Sequence, residues 1–135
     1  MYLLDTNVIS ELRKPQADAN VVAWAKSTSA PSMFISVITL MELETGVLRI
    51  ERRDPDQGKV LRRWLKRHVV PAFDTRILPI DVAVAVRCAS LHVPDRASES
   101  DALIAATALV HGLTVVTRNI GDFQNSGVAL INPWD

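Results

Sequence analysis

Tyr2-Leu3-Leu4-Asp5-Thr6-Asn7 is three apolar residues followed at once by a helix-start or turn signal. The same alternation recurs downstream. Met33-Phe34-Ile35-Ser36 reads as a second strand, leading to a helix that begins at Thr39 and continues past Ile50. Ile77 to Ile80 is a short strand followed by an apolar helix from Asp81 to His92. Thr114-Val115-Val116-Thr117 is a strand that leads into a loop from Arg118 to Gly121 and then Asp122-Phe123, and Val128 to Ile131 is a last short strand. The remaining stretches read as helices. One runs from Val8 to Lys14 and stops before Pro15, and Asp18 caps another through Val21, Val22, Trp24 and Ala25. Pro55 suits a first helical turn, so a helix is predicted from Asp56 to Val70, ended by Pro71. Ser98-Glu99-Ser100-Asp101 opens a helix that runs through Val110 and stops at Gly112.

Strands alternating with helices imply an α/β fold: a short, central, mostly parallel sheet flanked by helices on both sides. Short apolar strands suit a sheet covered on both faces. At 135 residues the chain has the length of one domain, expected to span 1–135, and can bury a core without staples.

Hydrophobic residues make up 48% of the chain, which excludes a disordered segment. No apolar run reaches the ~20 residues of a membrane-spanning helix, and the start shows no basic segment with an export-type apolar stretch. The single cysteine, Cys88, lies in an apolar helical pattern and reads as a buried structural thiol. A reducing, cytoplasmic location is expected. His68, His92 and His111 are isolated on separate helices and read as structural or surface residues. Net charge is zero, yet the segment from Arg49 to His68 holds eight Lys or Arg residues against three acids. A solvated helix face explains that, and so does a phosphate-facing surface.

In open α/β sheets, sites form outside the carboxyl ends of the strands. Asp5 stands at the first such end, Glu42 in the helix after the second strand, Asp101 in the first turn of the helix before the Thr114 strand, and Asp122 beyond that strand. Each has a plainer explanation. Asp5 can cap a helix; Thr39-x-x-Glu42 and Ser98-x-x-Asp101 have capping-box spacing; Asp122 can be a loop acid. Periodicity does not choose between Glu42 and Glu44. As a set, converging carboxylates repel one another and stay ionised together only around a cation. Oxygen-only donors point to a hard ion, Mg2+ before Zn2+, with Mn2+ as the substitute.

These segments resemble a known family. Leu3-Leu4-Asp5-Thr6-Asn7, Ser36-x-x-Thr39-x-x-Glu42-Leu43, Asp101-Ala102-Leu103-Ile104-Ala105-Ala106 and Thr117-Arg118-Asn119-x-x-Asp122-Phe123 look like the ordered signatures of PIN domains. The likeness is to VapC-type toxins, FitB-like members included, and extends to Asn132-Pro133-Trp134. The resemblance implies a Mg2+-dependent endoribonuclease toxin of a type II toxin–antitoxin system, hydrolysing RNA with a metal-activated water and leaving 5′-phosphate and 3′-hydroxyl ends. It makes Asp5, Glu42, Asp101 and Asp122 the catalytic and metal-holding acids. It places Thr6, Thr117, Arg118 and Asn119 around them or against substrate. Asn119 stands where some relatives carry another acid, so one metal ion is expected rather than two. A homodimer is implied, with a small antitoxin whose C-terminal segment covers the acidic groove. The helices past Thr39 and Pro55 would supply that groove, although Leu40, Leu43, Val47, Leu61, Trp64 and Leu65 also read as plain core.

Two alternatives stand beside this reading: a non-catalytic α/β binding or regulatory module, and a PIN nuclease acting on DNA or in RNA processing. Other chemistries lack their motifs. The five glycines form no phosphate-cradling loop, and no G-x-S-x-G element is present.

Overall fold

Leu3 and Leu4 are neighbours in sequence and face opposite sides of one sheet, because successive strand residues alternate. The computed structural model describes residues 1–135. Strands β1 (Tyr2–Leu4), β2 (Met33–Ser36), β3 (Ile77–Leu78), β4 (Thr114–Val116) and β5 (Leu130–Ile131) form a five-stranded sheet in the order β3-β2-β1-β4-β5. Every pairing is parallel, which is stricter than the mostly parallel sheet expected from sequence. The register sets Leu3 beside Phe34 and Val115, and Leu4 beside Val116.

The helices are α1 (Thr6–Arg13), α2 (Ala19–Ser27), α3 (Val37–Arg53), α4 (Pro55–Trp64), α5 (Val70–Ala72), α6 (Val82–Leu91) and α7 (Glu99–His111). On one face Leu4, Ile35 and Val116 pack with Val8 and Ile9 of α1, Val21 of α2, Leu43 and Val47 of α3, and Leu65 beyond α4. On the other, Leu3 and Val115 pack with Ile104, Ala105 and Ala108 of α7 and with Phe123. α6 then packs on the outside of α7 through Val84, Cys88, Ala102 and Ala106, so Cys88 is a buried thiol, and burial pushes its pKa up.

Local signals explain most boundaries. Asp18 accepts the Asn20 and Val21 N–H groups, and Asp81 accepts that of Val84. Gly112 ends α7 with φ 67°, a left-handed geometry that favours glycine. Apart from shifts of one or two residues at other ends, such as α1 starting at Thr6 and β5 at Leu130, three differences from the sequence reading stand out. α3 starts at Val37 because Ser36, not Thr39, caps it, accepting the Ile38 N–H at 3.0 Å. The rod begun by α4 does not stop at Pro71: a π turn at Leu65–Val69 leads straight into α5, whose first turn accommodates the proline. Residues Ile120–Ser126, read as loop around Asp122, form a 3-10 turn. No helix is long and apolar enough to cross a membrane.

Candidate active site

The winding of the sheet changes direction at β1. β2 and β3 lie to one side of it and β4 and β5 to the other, so the connections leaving β1 and β4 diverge and open a crevice at their carboxyl ends. Asp5 follows β1 directly and Thr117 follows β4 directly. The Asp5 N–H donates to the Val116 carbonyl at 2.9 Å, and its carboxylate accepts the Thr6 N–H and the Thr117 hydroxyl, each at 2.8 Å. Asp5 therefore does cap α1, as the plainer reading holds. It is also pinned from β4, and Oδ1, which accepts only the Thr6 N–H, keeps a lone pair for another ligand.

Glu42 is not a capping-box acid. Thr39 lies inside α3 and is fully buried, with its hydroxyl 3.5 Å from that of Thr6. Glu42 instead accepts the Thr6 hydroxyl at 2.7 Å, a bond that ties the start of α1 to α3. Periodicity left Glu42 and Glu44 open; Glu42 faces α1 and the crevice, whereas Glu44 pairs with Arg62 at 2.5 Å. Asp101 stands in the first turn of α7, where Ser98 makes no side-chain cap to the helix backbone. Asp101 and Asp122 line one hollow of about 230 Å³ with Ser98 and Asn125. Thr6 and Glu42 line another, of about 210 Å³, with Arg13, Leu61 and Trp64. Leu43, Val47 and Leu65 are core, while Leu40, Leu61 and Trp64 are only half-buried.

The four acids feel one another. Burial pushes the Asp5 carboxyl above its ordinary value; hydrogen bonds from Thr117 and Thr6 oppose the rise, and the charge of Asp122 adds to it. Asp101 is raised first by burial and then by the charges of Asp122, Asp5 and Glu42. None of the four is in an ion pair with Lys, Arg or His. Uncompensated carboxylates with only oxygen to offer fit a hard divalent cation. No three of them bring one oxygen apiece within 4.8 Å of each other, so the side chains do not form a closed cage. An ion that retains part of its water shell does not require one.

Thr117 and Thr6 thus touch the acids directly. The Arg118 side chain does not enter the crevice; its guanidinium lies 5.3 Å from the centre of the Trp134 ring. Asn119 contributes its backbone N–H, donated to the Thr117 hydroxyl at 3.0 Å. Sequence reasoning missed Asn7. Its amide donates to Asp5 at 3.4 Å and to Thr117 at 3.3 Å, and its carbonyl accepts the Arg118 N–H at 3.3 Å. The signal was the Asp-Thr-Asn triplet itself, read as a turn.

Also unforeseen is a second cluster, Cys88, His92 and Glu99, behind the loop before α7. His92 Nε2 lies 3.8 Å from the Cys88 sulfur and 3.7 Å from Glu99. The Ala97 N–H donates to His92 Nδ1 at 3.1 Å, so in the neutral ring the proton sits on Nε2, the nitrogen that faces the cluster. A metal-bound histidine has the reverse arrangement. The ring is a clasp for the segment that leads into Asp101.

Comparison with known proteins places these features. Residues 2–125 match the family described as the PIN domain. The chain is 41% identical to the toxin FitB of Neisseria gonorrhoeae, over 99% of each chain. It is 36% identical to the VapC ribonuclease Y4jK of Sinorhizobium fredii, over 100% of this chain and 99% of that one. Among solved structures, FitAcB from Neisseria gonorrhoeae superposes with a TM-score of 0.92 at 40% identity, over 99% of both chains. A toxin-antitoxin complex from Klebsiella pneumoniae gives 0.69 at 26% identity, over 100% of this chain and 99% of that one.

Proposed function

The chain belongs to the PIN-domain family, and on that premise we propose that it is the endoribonuclease toxin of a type II toxin–antitoxin pair, dependent on Mg2+. What supports the proposal is that the charges of Asp122, Asp5 and Glu42 all act on Asp101 beside the winding change of a parallel sheet, and that none of these four carboxylates is in an ion pair. The ribonuclease names of relatives favour RNA over DNA as substrate.

Asp5, Glu42, Asp101 and Asp122 would hold the ion. A bound Mg2+ supplies a polarised phosphoryl oxygen and a water of lowered pKa. The chain's own groups supply orientation. Thr117, Thr6 and Asn7 fix the rotamers of Asp5 and Glu42, so the donors are set before substrate arrives. Glu42 or Asp122 takes the proton of the attacking water, since each keeps a carboxylate oxygen free of hydrogen bonds. Arg118, held against Trp134, and Arg13, over Trp64, stand at the rim for flanking phosphates.

The partner is a small antitoxin, in keeping with the toxin-antitoxin complex that this fold matches, and the working unit is a homodimer in a reducing, cytoplasmic compartment. The test is incubation of a cellular RNA pool with and without Mg2+, followed by mapping of the cut ends. Cuts that need the ion and leave 5′-phosphate and 3′-hydroxyl termini are expected. Intact RNA from active-length, folded protein refutes the reading.

A further inference from the structure

One face of α4 carries charge that the acidic site does not use. Lys59, Arg62, Arg63, Lys66 and Arg67 recur at three- and four-residue steps along the rod Pro55–Val69, opposite Leu61 and Leu65. With Glu51 they line a groove of about 260 Å³ that has no apolar residue in its wall. Arg62 is already engaged, donating to Glu44 at 2.5 Å and to Glu51 at 2.9 and 3.3 Å. That fork engages both nearby acids, offsetting one of their two charges, and fixes the floor of the groove. Lys59, Arg63, Lys66 and Arg67 are exposed and in no ion pair.

Four free cations side by side repel one another, and the chain as a whole has no net charge to spread over its surface. The wall offers no apolar anchor for a peptide, so the complementary ligand is a polyanion. Successive bases on the helix rise by roughly 6 Å, four residues at ~1.5 Å each, which is comparable to the separation of neighbouring phosphates on one strand. The other flank of the same helix carries Leu61 and Trp64, which wall the hollow containing Thr6 and Glu42. A strand leaving that hollow across α4 passes onto the basic face. The acidic site itself repels RNA, so attraction has to come from outside it.

We infer that the basic face of α4 grips the backbone phosphates of single-stranded RNA outside the scissile bond. This rests on the ribonuclease reading above, and it assigns the face to affinity rather than to chemistry. The test compares the native chain with a variant carrying Lys59→Gln, Arg63→Gln, Lys66→Gln and Arg67→Gln. A charge-keeping control carries Lys59→Arg, Arg63→Lys, Lys66→Arg and Arg67→Lys. Binding of a labelled single-stranded RNA of about 20 nucleotides is measured in EDTA across a salt series, with duplex DNA of equal length alongside. Each lost phosphate contact lowers the slope of log K against log salt by ~0.7, so the glutamine variant is expected to lose about 3 in slope and at least tenfold in affinity at low salt. The control is expected to stay within about twofold of native. Unchanged affinity and slope in the glutamine variant overturn the inference; so does an equal loss in the control, absence of RNA binding by the native chain, or a loss confined to duplex DNA. Cleavage by the native chain in Mg2+ is scored separately. Native cleavage with an unaltered glutamine variant sinks the surface alone, whereas salt-sensitive binding without cleavage sinks the nuclease reading.

Discussion

Asp101 receives the repulsion of three other carboxylates, from Asp122, Asp5 and Glu42, on top of partial burial. Its carboxyl is therefore raised from the ordinary 3.8, as is that of Asp5. A raised acid favours its neutral form in the folded state. Its contribution to stability is fully present below 3.8 and is lost as the pH climbs through the folded value. Asp101→Asn removes that penalty along with a donor for the ion. The variant is expected to cleave no RNA and, without metal, to be more stable than native by roughly 0.5–1 kcal/mol at neutral pH. The gap should narrow as the pH falls and the native acid takes up its proton, and melting curves at several pH values check it. A gap that ignores pH, or an active variant, removes Asp101 from the centre. At this scale the sequence was legible wherever a residue type has one chemical use. The four acids could be picked out as chemistry-bearing by residue type and position, whereas Asn7 could pass for a turn residue because its partners, Thr117 and Arg118, are 110 and 111 positions away.

The helical hairpin of α3 and α4 depends on one close approach. A Cβ on Gly58 would stand 2.5 Å from the Glu51 Cα and 3.0 Å from its nitrogen, both backbone atoms that cannot swing aside. Alanine there gains about 1 kcal/mol of helix propensity but forces the helices apart. Gly58→Ala is expected to cost about 1–2 kcal/mol net, the range of overpacked contacts. It should also strain the Arg62 bridges to Glu51 and Glu44 that lie along the same seam. A denaturant midpoint that stays put or rises would show that the hairpin yields without loss. Element boundaries were legible where a cap is local, as at Asp18, Asp81 and Gly112. They were misread where two caps compete. Ser36 and Thr39 both precede an apolar helix, and only the packing of Thr39 against Thr6 decides that the first is the cap. The π turn at Leu65–Val69 leaves no local mark either; both of its end residues are buried in the core, and that packing involves residues distant in sequence.

For the whole molecule, the alternation of strands and helices was plain from the chain, but the strand order was not. Order depends on which side of β1 each crossover passes, and no short segment carries that information. Yet the order is what joins Asp5 to Thr117 and brings the charges of Asp5, Glu42 and Asp122 to bear on Asp101. β4 pairs with β1 rather than with β3, so the end of the chain returns beside its start. The fold thus holds repelling charges together at a cost in stability, and any ion that bridges them must return part of it. Binding to the folded state alone stabilises by mass action, about 2.7 kcal/mol when the ion stands at 100 times its dissociation constant. Mg2+ is therefore expected to raise the melting temperature of the native chain progressively, and EDTA to reverse the rise. The increment should be small or absent in Asp5→Asn, which removes the most buried of the donors but keeps the shape of the capping group. Scanning calorimetry over a Mg2+ series reads both effects. Equal increments in native and Asp5→Asn would mean that the ion binds elsewhere, and no increment in either would leave four crowded carboxylates without the cation that their arrangement requires.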